Sequence, residues 1–155
     1  MTAAVLAFGS NLGDREATII EAVSRVADLD GVDLFAASTL HESAAVKPDG
    51  VDAAAPAYLN AVAIVETVLP PEALLVAVNA IEKDLGRVRA ERWADRTLDI
   101  DIITYGDLEV ATETLTLPHP RAAERTFVLE PWLEIDSDAR LPGRGAVRDL
   151  LAVLK

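Results

Sequence analysis

Apolar residues along the chain recur at two spacings, and segments of each kind alternate through its first two thirds. Runs rich in apolar and β-branched residues predict β-strands at residues 3–8, 32–43, 56–69 and 97–106. Apolar residues at intervals of three and four predict helices at residues 14–29 and 71–86. The predicted order of elements is therefore β-α-β-β-α-β, which is typical of an α+β sandwich.

The remaining segments add shorter elements to this core. Residues 108–120 predict short strands, residues 123–135 and 145–155 have helical spacing, and residues 44–56 have the composition of a loop. We expect an α+β fold with a ferredoxin-like βαββαβ core, in which helices sandwich a mostly antiparallel sheet. The chain has no internal repeat or linker, so we expect residues 1–155 to form a single domain.

Composition and charge narrow the class of function. The formal net charge of −12 argues against a broad basic surface for nucleic acid or an anionic membrane. No apolar run approaches the roughly 20 residues that span a bilayer. The chain has no Cys, which excludes disulfides and thiolate metal sites, and no basic, apolar N-terminal segment. We therefore expect a cytoplasmic protein with neither nucleic acid nor membrane as a partner. We expect a monomer, although composition leaves an oligomer open.

The stretch RTLDIDII, residues 96–103, places two carboxylates inside a predicted strand. Because side chains alternate between the two faces of a strand, Asp99 and Asp101 share one face and the apolar residues beside them share the other. Two such carboxylates need a cation or several donors, and Mg²⁺ prefers oxygen ligands of this kind. The stretch is therefore either a metal site or the acidic solvent face of an edge strand.

A cluster of arginines directly upstream favours the metal site. Only 14 residues of the chain are Lys or Arg, yet four of them fall within ten positions: Arg87, Arg89, Arg92 and Arg96. Arginine keeps its charge and makes bidentate contacts with phosphate, so arginines beside paired carboxylates are typical of a metal–triphosphate site. In an acidic protein, the cluster indicates a small anionic ligand.

Four stretches carry motifs in the order and spacing of one known family. They read AFGSNLGDR, YLNAV, GRVRAERWADRTLDIDII and LPHPRAAERTFVLEPW, and together they cover nearly the whole chain. With these motifs the chain resembles the 6-hydroxymethyl-7,8-dihydropterin pyrophosphokinase family. The resemblance implies a Mg²⁺-dependent enzyme of tetrahydrofolate biosynthesis, which transfers pyrophosphate from ATP to the hydroxymethyl group of 6-hydroxymethyl-7,8-dihydropterin and releases AMP.

The resemblance also implies a role for each residue that matches a family motif. Asp99 and Asp101 would bind two Mg²⁺ ions, and the implied catalytic residues are these two together with Arg87 and Arg96. The implied ATP-binding residues are Asn79, Glu82, Arg87, Arg92, Trp93, Arg96, Ile102, Thr116, His119 and Arg125. The implied pterin-binding residues are Ser43, Val46, Tyr58, Asn60, Trp93 and Phe127.

The residue types on one predicted strand agree with the implied pterin site. Tyr58 and Asn60 are two positions apart, so an aromatic ring and an amide with both donor and acceptor share one face. The sequence departs from the family pattern at Ser43-Ala44-Ala45, where a Thr-Pro-Pro type stretch is usual, and at Asp95, where a small or uncharged residue is usual.

Two other functions use the same residues. A different metal-dependent phosphotransferase or nucleotidyltransferase would need the same aspartates and arginines. A non-catalytic ligand-binding module on a ferredoxin-like sheet would bind a small molecule without turnover. Release of AMP, rather than ADP or no product, would separate the pyrophosphokinase from both.

Overall fold

The computed structural model describes residues 1–10, 15–43, 46–47, 50–51, 58–87 and 98–154. Its helices are α1 (Arg15–Ala27), α2 (Pro71–Arg87), α3 (Thr126–Ile135) and α4 (Val147–Leu154), with a short 3₁₀ helix at Ala122–Glu124. The strands of the main sheet are β1 (Thr2–Ser10), β2 (Val32–Ala37), β3 (His41–Ser43), β6 (Tyr58–Thr67) and β7 (Asp99–Tyr105). The paired short strands are β4 (Val46–Lys47) with β5 (Gly50–Val51), β8 (Val110–Ala111) with β9 (Thr116–Leu117), and β10 (Arg140–Leu141) with β11 (Gly145–Ala146).

The main sheet has the strand order β2-β6-β1-β7, and every neighbouring pair is antiparallel. Strand β3 continues alongside β6 beyond the end of β2. Helix α1 connects β1 to the β2 edge, and α2 connects β6 to β7. This topology confirms the predicted α+β fold with a ferredoxin-like βαββαβ core.

Two hydrophobic clusters cover the two faces of the main sheet. On one face, α1 and α2 pack over alternate residues of the central strands, among them Leu6 and Phe8. On the other face, α3 packs over residues such as Val5 and Val62, with its Trp132 buried among them, and α4 packs against α3. Helices therefore sandwich the sheet, as the sequence predicted. Within the part of the chain described, no helix has the length and apolar composition of a transmembrane helix.

The edge strand beside β6 differs from the prediction of one continuous strand at residues 32–43. It is broken between β2 and β3, where Ser38 takes over the pairing with β6. The Ser38 amide donates to the Val62 carbonyl oxygen (2.8 Å), and the Val62 amide donates to the Ser38 hydroxyl oxygen (2.9 Å). A serine hydroxyl thus replaces a backbone carbonyl in the ladder, which lets the chain leave the sheet before β3 begins.

The segment predicted as a loop at residues 44–56 also contains regular structure. Strands β4 and β5 pair with each other through Val46 with Val51 and Lys47 with Gly50. A pairing of two residues on each side leaves no periodic pattern in the sequence, so composition alone predicted only a loop.

Candidate active site

A cavity of about 480 Å³ opens where the C-terminal end of β1 meets the N-terminal ends of β6 and β7. Helix α3 and the 3₁₀ helix form its opposite side. Its lining residues come from every one of these elements and from β3: Ala7, Phe8, Gly9, Ser43, Tyr58, Asn60, Asp99, Asp101, Arg121, Glu124, Arg125, Phe127 and Val128. Acidic, basic and aromatic side chains therefore line the same cavity.

The two aspartates of β7 both line this cavity. Asp99 pairs with Gly9 of β1 and Asp101 pairs with Ala7, so the carboxylates follow each other along one face of the sheet. Ile100 and Ile102 are 3% and 4% exposed and belong to the core on the other face. The alternation predicted from RTLDIDII is confirmed, and the strand fixes both carboxylates on rigid backbone.

Two cationic or polar side chains approach Asp101 from the opposite wall. Arg125 Nη1 lies 3.7 Å from Asp101 Oδ2, and His119 Nε2 lies 4.0 Å from the same oxygen. The Arg125 guanidinium also lies 5.6 Å from the centre of the Phe127 ring, within the range of a cation–π interaction. Arg125 therefore links the carboxylate end of the cavity to its aromatic wall.

The surroundings of His119 favour its neutral form, with the proton on Nε2. Burial lowers the pKa of His119, Asp101 raises it, and Arg125 and Arg121 lower it, so that the pKa falls below the usual value of 6.5. Its Nδ1 accepts a hydrogen bond from the Arg121 amide (3.2 Å), which assigns the ring proton to Nε2. His119 thus presents an N–H donor on the side of Asp101 rather than a second full charge.

The opposite end of the cavity carries the amide of Asn60, which is 4% exposed. Its Nδ2 donates to the His41 carbonyl oxygen (3.1 Å) and to the Ser43 hydroxyl oxygen (2.8 Å). A Cβ added at Gly9 would lie 3.4 Å from Asn60 Oδ1, which places this acceptor directly over Gly9. The amide therefore uses its donors on β3 and turns its acceptor towards the cavity.

The structure brings together most of the described residues that the sequence predicted for the site. Those that line the cavity are Ser43, Tyr58, Asn60, Asp99, Asp101, Arg125 and Phe127, and His119 approaches Asp101. Tyr58 and Asn60 share one face of β6, as predicted.

Four residues predicted to bind ATP lie elsewhere: Asn79, Glu82, Ile102 and Thr116 do not line the cavity. Glu82 of α2 accepts a hydrogen bond from the Ile100 amide (2.6 Å), so it holds β7 between its two aspartates. The Ile102 side chain lies in the core, and Thr116 is exposed on β9. Their contact with nucleotide stays a prediction.

Several predicted residues lie outside the described part of the chain. Arg92, Trp93 and Arg96 belong to this group, as does the departure at Asp95. For Arg87, the last residue of α2, and for Val46 in β4, the structure describes the backbone alone. The roles implied for these residues also stay predictions.

Sequence reasoning missed part of the cavity wall. Ala7 and Gly9 form its floor, and the signal for them was two small residues at alternate positions of a strand. Arg121 and Glu124 also line the cavity, and the sequence carries no signal that separates them from other charged residues.

The donor set at Asp99 and Asp101 fits a magnesium ion. Among the described residues, no group of three His, Cys, Asp or Glu side chains converges as an all-protein metal cage would require. Mg²⁺ usually keeps several waters and is held by one or two carboxylates plus substrate phosphates. Two carboxylates beside a cavity match that mode of binding.

Comparison with known proteins places the chain in a family. The sequence profile of 7,8-dihydro-6-hydroxymethylpterin-pyrophosphokinase (HPPK) matches residues 5–137. The chain belongs to the HPPK family. It is therefore a pyrophosphokinase, and its family belongs to folate synthesis and acts on small molecules. The predicted resemblance is confirmed.

Relatives of similar length carry the same name. The 2-amino-4-hydroxy-6-hydroxymethyldihydropteridine pyrophosphokinase of Haemophilus influenzae is 38% identical over 151 residues, which cover 97% of this chain and 92% of the relative. That of Methylorubrum extorquens is 40% identical over 154 residues, covering 99% and 94%. These two HPPK relatives therefore align with nearly the whole of this chain.

The fold is also that of solved HPPK structures. The Plasmodium falciparum HPPK-DHPS wild type, solved with pteroate, superposes with a TM-score of 0.71 at 15% sequence identity. The match covers 98% of this chain and 42% of that longer chain. The similarity supports the fold assignment of this HPPK-family chain.

Proposed function

We propose that the protein transfers pyrophosphate from ATP to the hydroxymethyl group of 6-hydroxymethyl-7,8-dihydropterin and releases AMP, with Mg²⁺ as the metal. The observation that carries the proposal is one cavity with two chemically different ends. One end has an aromatic ring and a buried amide, and the other has paired carboxylates faced by an arginine. Membership of the HPPK family supports the same reaction.

The aromatic end suits a flat heterocycle with polar edges. Tyr58 and Phe127 offer ring surface for stacking, and both line the cavity. Asn60 Oδ1 is an acceptor for the N–H groups at the edge of a pterin, since both donors of this amide are already used on β3. Ser43 then contributes by holding the amide in place.

The charged end suits the triphosphate of ATP. Arg125 supplies a permanent positive charge, and the neutral His119 supplies an N–H donor. Asp99 and Asp101 would hold two Mg²⁺ ions, which when bound neutralise charge on the phosphates. Arg87, Arg92 and Arg96 are proposed to add further phosphate contacts from the segment after α2.

The reaction needs orientation more than covalent catalysis. The hydroxymethyl oxygen attacks the β-phosphorus of ATP, the bond from this phosphorus to the α-phosphate oxygen breaks, and AMP leaves. Arg125 contacts both the Asp101 end and the Phe127 wall, so one side chain can hold phosphate beside the bound ring. The proposed role of the protein residues is to align the two substrates and to offset negative charge.

Product analysis tests this function directly. The protein is mixed with ATP, Mg²⁺ and 6-hydroxymethyl-7,8-dihydropterin, and the nucleotide and pterin products are separated and quantified. We expect AMP and pterin diphosphate in equal amounts. ADP in place of AMP would indicate another phosphotransferase, and binding without any product would indicate a ligand-binding module.

Gly9 is expected to limit the size of the acceptor site. A Cβ here would lie 3.4 Å from Asn60 Oδ1 and 3.8 Å from Tyr58 Cδ1, so the branched side chain of Gly9→Val would occupy the cavity floor. Because Gly9 does not have a positive φ, its backbone tolerates the change. We expect the KM for the pterin alcohol to rise about tenfold to a hundredfold, with the KM for ATP unchanged.

The matched control for this change is Ala3→Val, at an exposed position of the same strand. Steady-state kinetics with each substrate varied in turn would measure both variants. An unchanged pterin KM in a folded Gly9→Val protein would contradict the proposed position of the ring.

A further inference from the structure

Glu134, in the last turn of α3, joins this helix to the break in the edge strand. Its Oε2 accepts a hydrogen bond from the Thr39 amide (2.7 Å), and its Oε1 accepts one from the Thr39 hydroxyl (2.7 Å). Its Oε1 also accepts one from His41 Nε2 (2.7 Å), which must carry the ring proton because a carboxylate can only accept. Three donors from one short segment thus converge on a single carboxylate.

The carboxylate is held in its charged form by these donors. The hydrogen bond from His41, followed by that from the Thr39 amide, lowers the pKa of Glu134 below its usual value. About a third of the Glu134 side chain (32%) is exposed, so the contribution of each bond to stability is modest. The arrangement is therefore better suited to fixing geometry than to stabilising the whole fold.

The segment held by Glu134 is the one that holds the Asn60 amide. His41 pairs with Asn60 across β3 and β6, and its carbonyl oxygen accepts a hydrogen bond from Asn60 Nδ2. Ser43, two residues further along β3, accepts the second bond from the same nitrogen. The path from Glu134 to the amide therefore crosses a single residue, His41.

Helix α3 also carries the aromatic wall on the opposite side of the cavity. Phe127 lies in its first turn, and Glu134 follows seven residues later, close to two helical turns. The two side chains therefore project from the same side of α3, which packs against β6 and β3. Helix α3 therefore positions the Phe127 ring near its N-terminal end and the Glu134 carboxylate, which binds Thr39 and His41, near its C-terminal end.

We propose that Glu134 is a positioning residue for the pterin end of the cavity: it fixes Thr39–His41 against α3 and thereby orients the Asn60 side chain. The role rests on the proposed function, since it concerns the binding of the pterin alcohol. Glu134 does not line the cavity, so it acts through Asn60 and not by contact with substrate.

Glu134→Gln is the variant that tests this role. A glutamine keeps the length of the side chain but has one acceptor oxygen and one donor nitrogen, so at least one donor of Thr39 or His41 loses its acceptor. We expect the KM for the pterin alcohol to rise about tenfold, as befits the loss of one or two hydrogen bonds, with the KM for ATP changed less than about twofold. Glu16→Gln, an exposed residue of α1 on the other face of the sheet, is the charge-matched control and should change neither value.

A second measurement reports the orientation of Asn60 without any substrate. In nuclear magnetic resonance spectra of the ligand-free protein, Glu134→Gln should move the side-chain NH₂ signals of Asn60, whereas Glu16→Gln should not. Thr39→Val, which removes only the hydroxyl donor, should move the same signals by less and raise the pterin KM about twofold to threefold.

The outcomes separate this inference from the proposed reaction. Unmoved Asn60 signals, or equal increases in both KM values, would overturn the positioning role, because a purely structural effect would not single out the pterin. If the unaltered protein formed no AMP, the proposed function would fail. The Asn60 signals would still decide whether Glu134 orients this amide.

Discussion

Replacement of Asp101 by asparagine is expected to lower kcat about a thousandfold and to leave the fold intact. Asp101 faces the cavity from rigid backbone of β7, opposite Arg125 and His119. The asparagine keeps the shape of the side chain but removes the charge that would bind Mg²⁺ beside the phosphates. Loss of an electrostatic contribution of this kind corresponds to about 4 kcal/mol of transition-state free energy.

The effect on folding should be small. The Asp101 side chain is 41% exposed, and its neighbours Arg125 and His119 lie 3.7 Å and 4.0 Å away, so the free energy of unfolding should change by less than about 1 kcal/mol. Urea unfolding followed by circular dichroism measures this quantity. Asp107→Asn, in the exposed turn after the same strand, provides the matched control for both kcat and stability.

A binding measurement makes the test sharper. Without Mg²⁺, the asparagine variant should bind ATP at least as tightly as the unaltered protein, because a negative charge beside Arg125 has been removed. Calorimetry with ATP alone and with ATP and Mg²⁺ would compare the two conditions. A near-normal kcat, or equal losses of ATP affinity with and without Mg²⁺, would contradict the assignment of Asp101 as a metal ligand.

Trp132→Ala is expected to lower the free energy of unfolding by about 3–5 kcal/mol, a large part of the stability of a domain of this size. Trp132 is 2% exposed and packs in the cluster between α3 and the sheet, with Leu129 and Ile103. An alanine would leave a cavity there that the surrounding side chains fill only partly. Urea unfolding is monitored by far-ultraviolet circular dichroism, because the substitution itself removes a fluorescent tryptophan.

Trp132→Phe separates packing from hydrogen bonding at this position. Nε1 of Trp132 is buried, and no described residue offers it a hydrogen-bond acceptor. Phenylalanine removes this unsatisfied donor and keeps most of the aromatic volume. The free energy of unfolding should therefore fall by less than about 1.5 kcal/mol. If Trp132→Phe destabilised the protein as much as Trp132→Ala, the indole N–H would have an essential partner.

The sequence predicted the site best where the relevant pattern is local. The position of Asp99 and Asp101 on one face of a strand follows from a period of two residues, and the register with Gly9 and Ala7 confirms it. The same reasoning placed Tyr58 and Asn60 together. Strand periodicity needs no knowledge of distant contacts, which is why it was sufficient for these four residues.

Interactions between distant segments could not be predicted in this way. Thr39 and Glu134 are 95 positions apart, and nothing near either residue in the sequence indicates that they meet. The break at Ser38 depends on a hydroxyl that competes for a ladder position, and the surrounding apolar pattern runs through it unchanged. The roles of Asn79 and Thr116 came from family resemblance alone, and the cavity described here does not include them.

The interrupted edge of the main sheet has a further consequence for the behaviour of the protein at high concentration. An uninterrupted edge strand would offer a long row of backbone groups for pairing with another molecule, beside the exposed side chains of Leu34 and Phe35. At the break, the Thr39 amide is occupied by Glu134, which lies outside the sheet. The same residues that shape the edge therefore shorten the template available for aggregation.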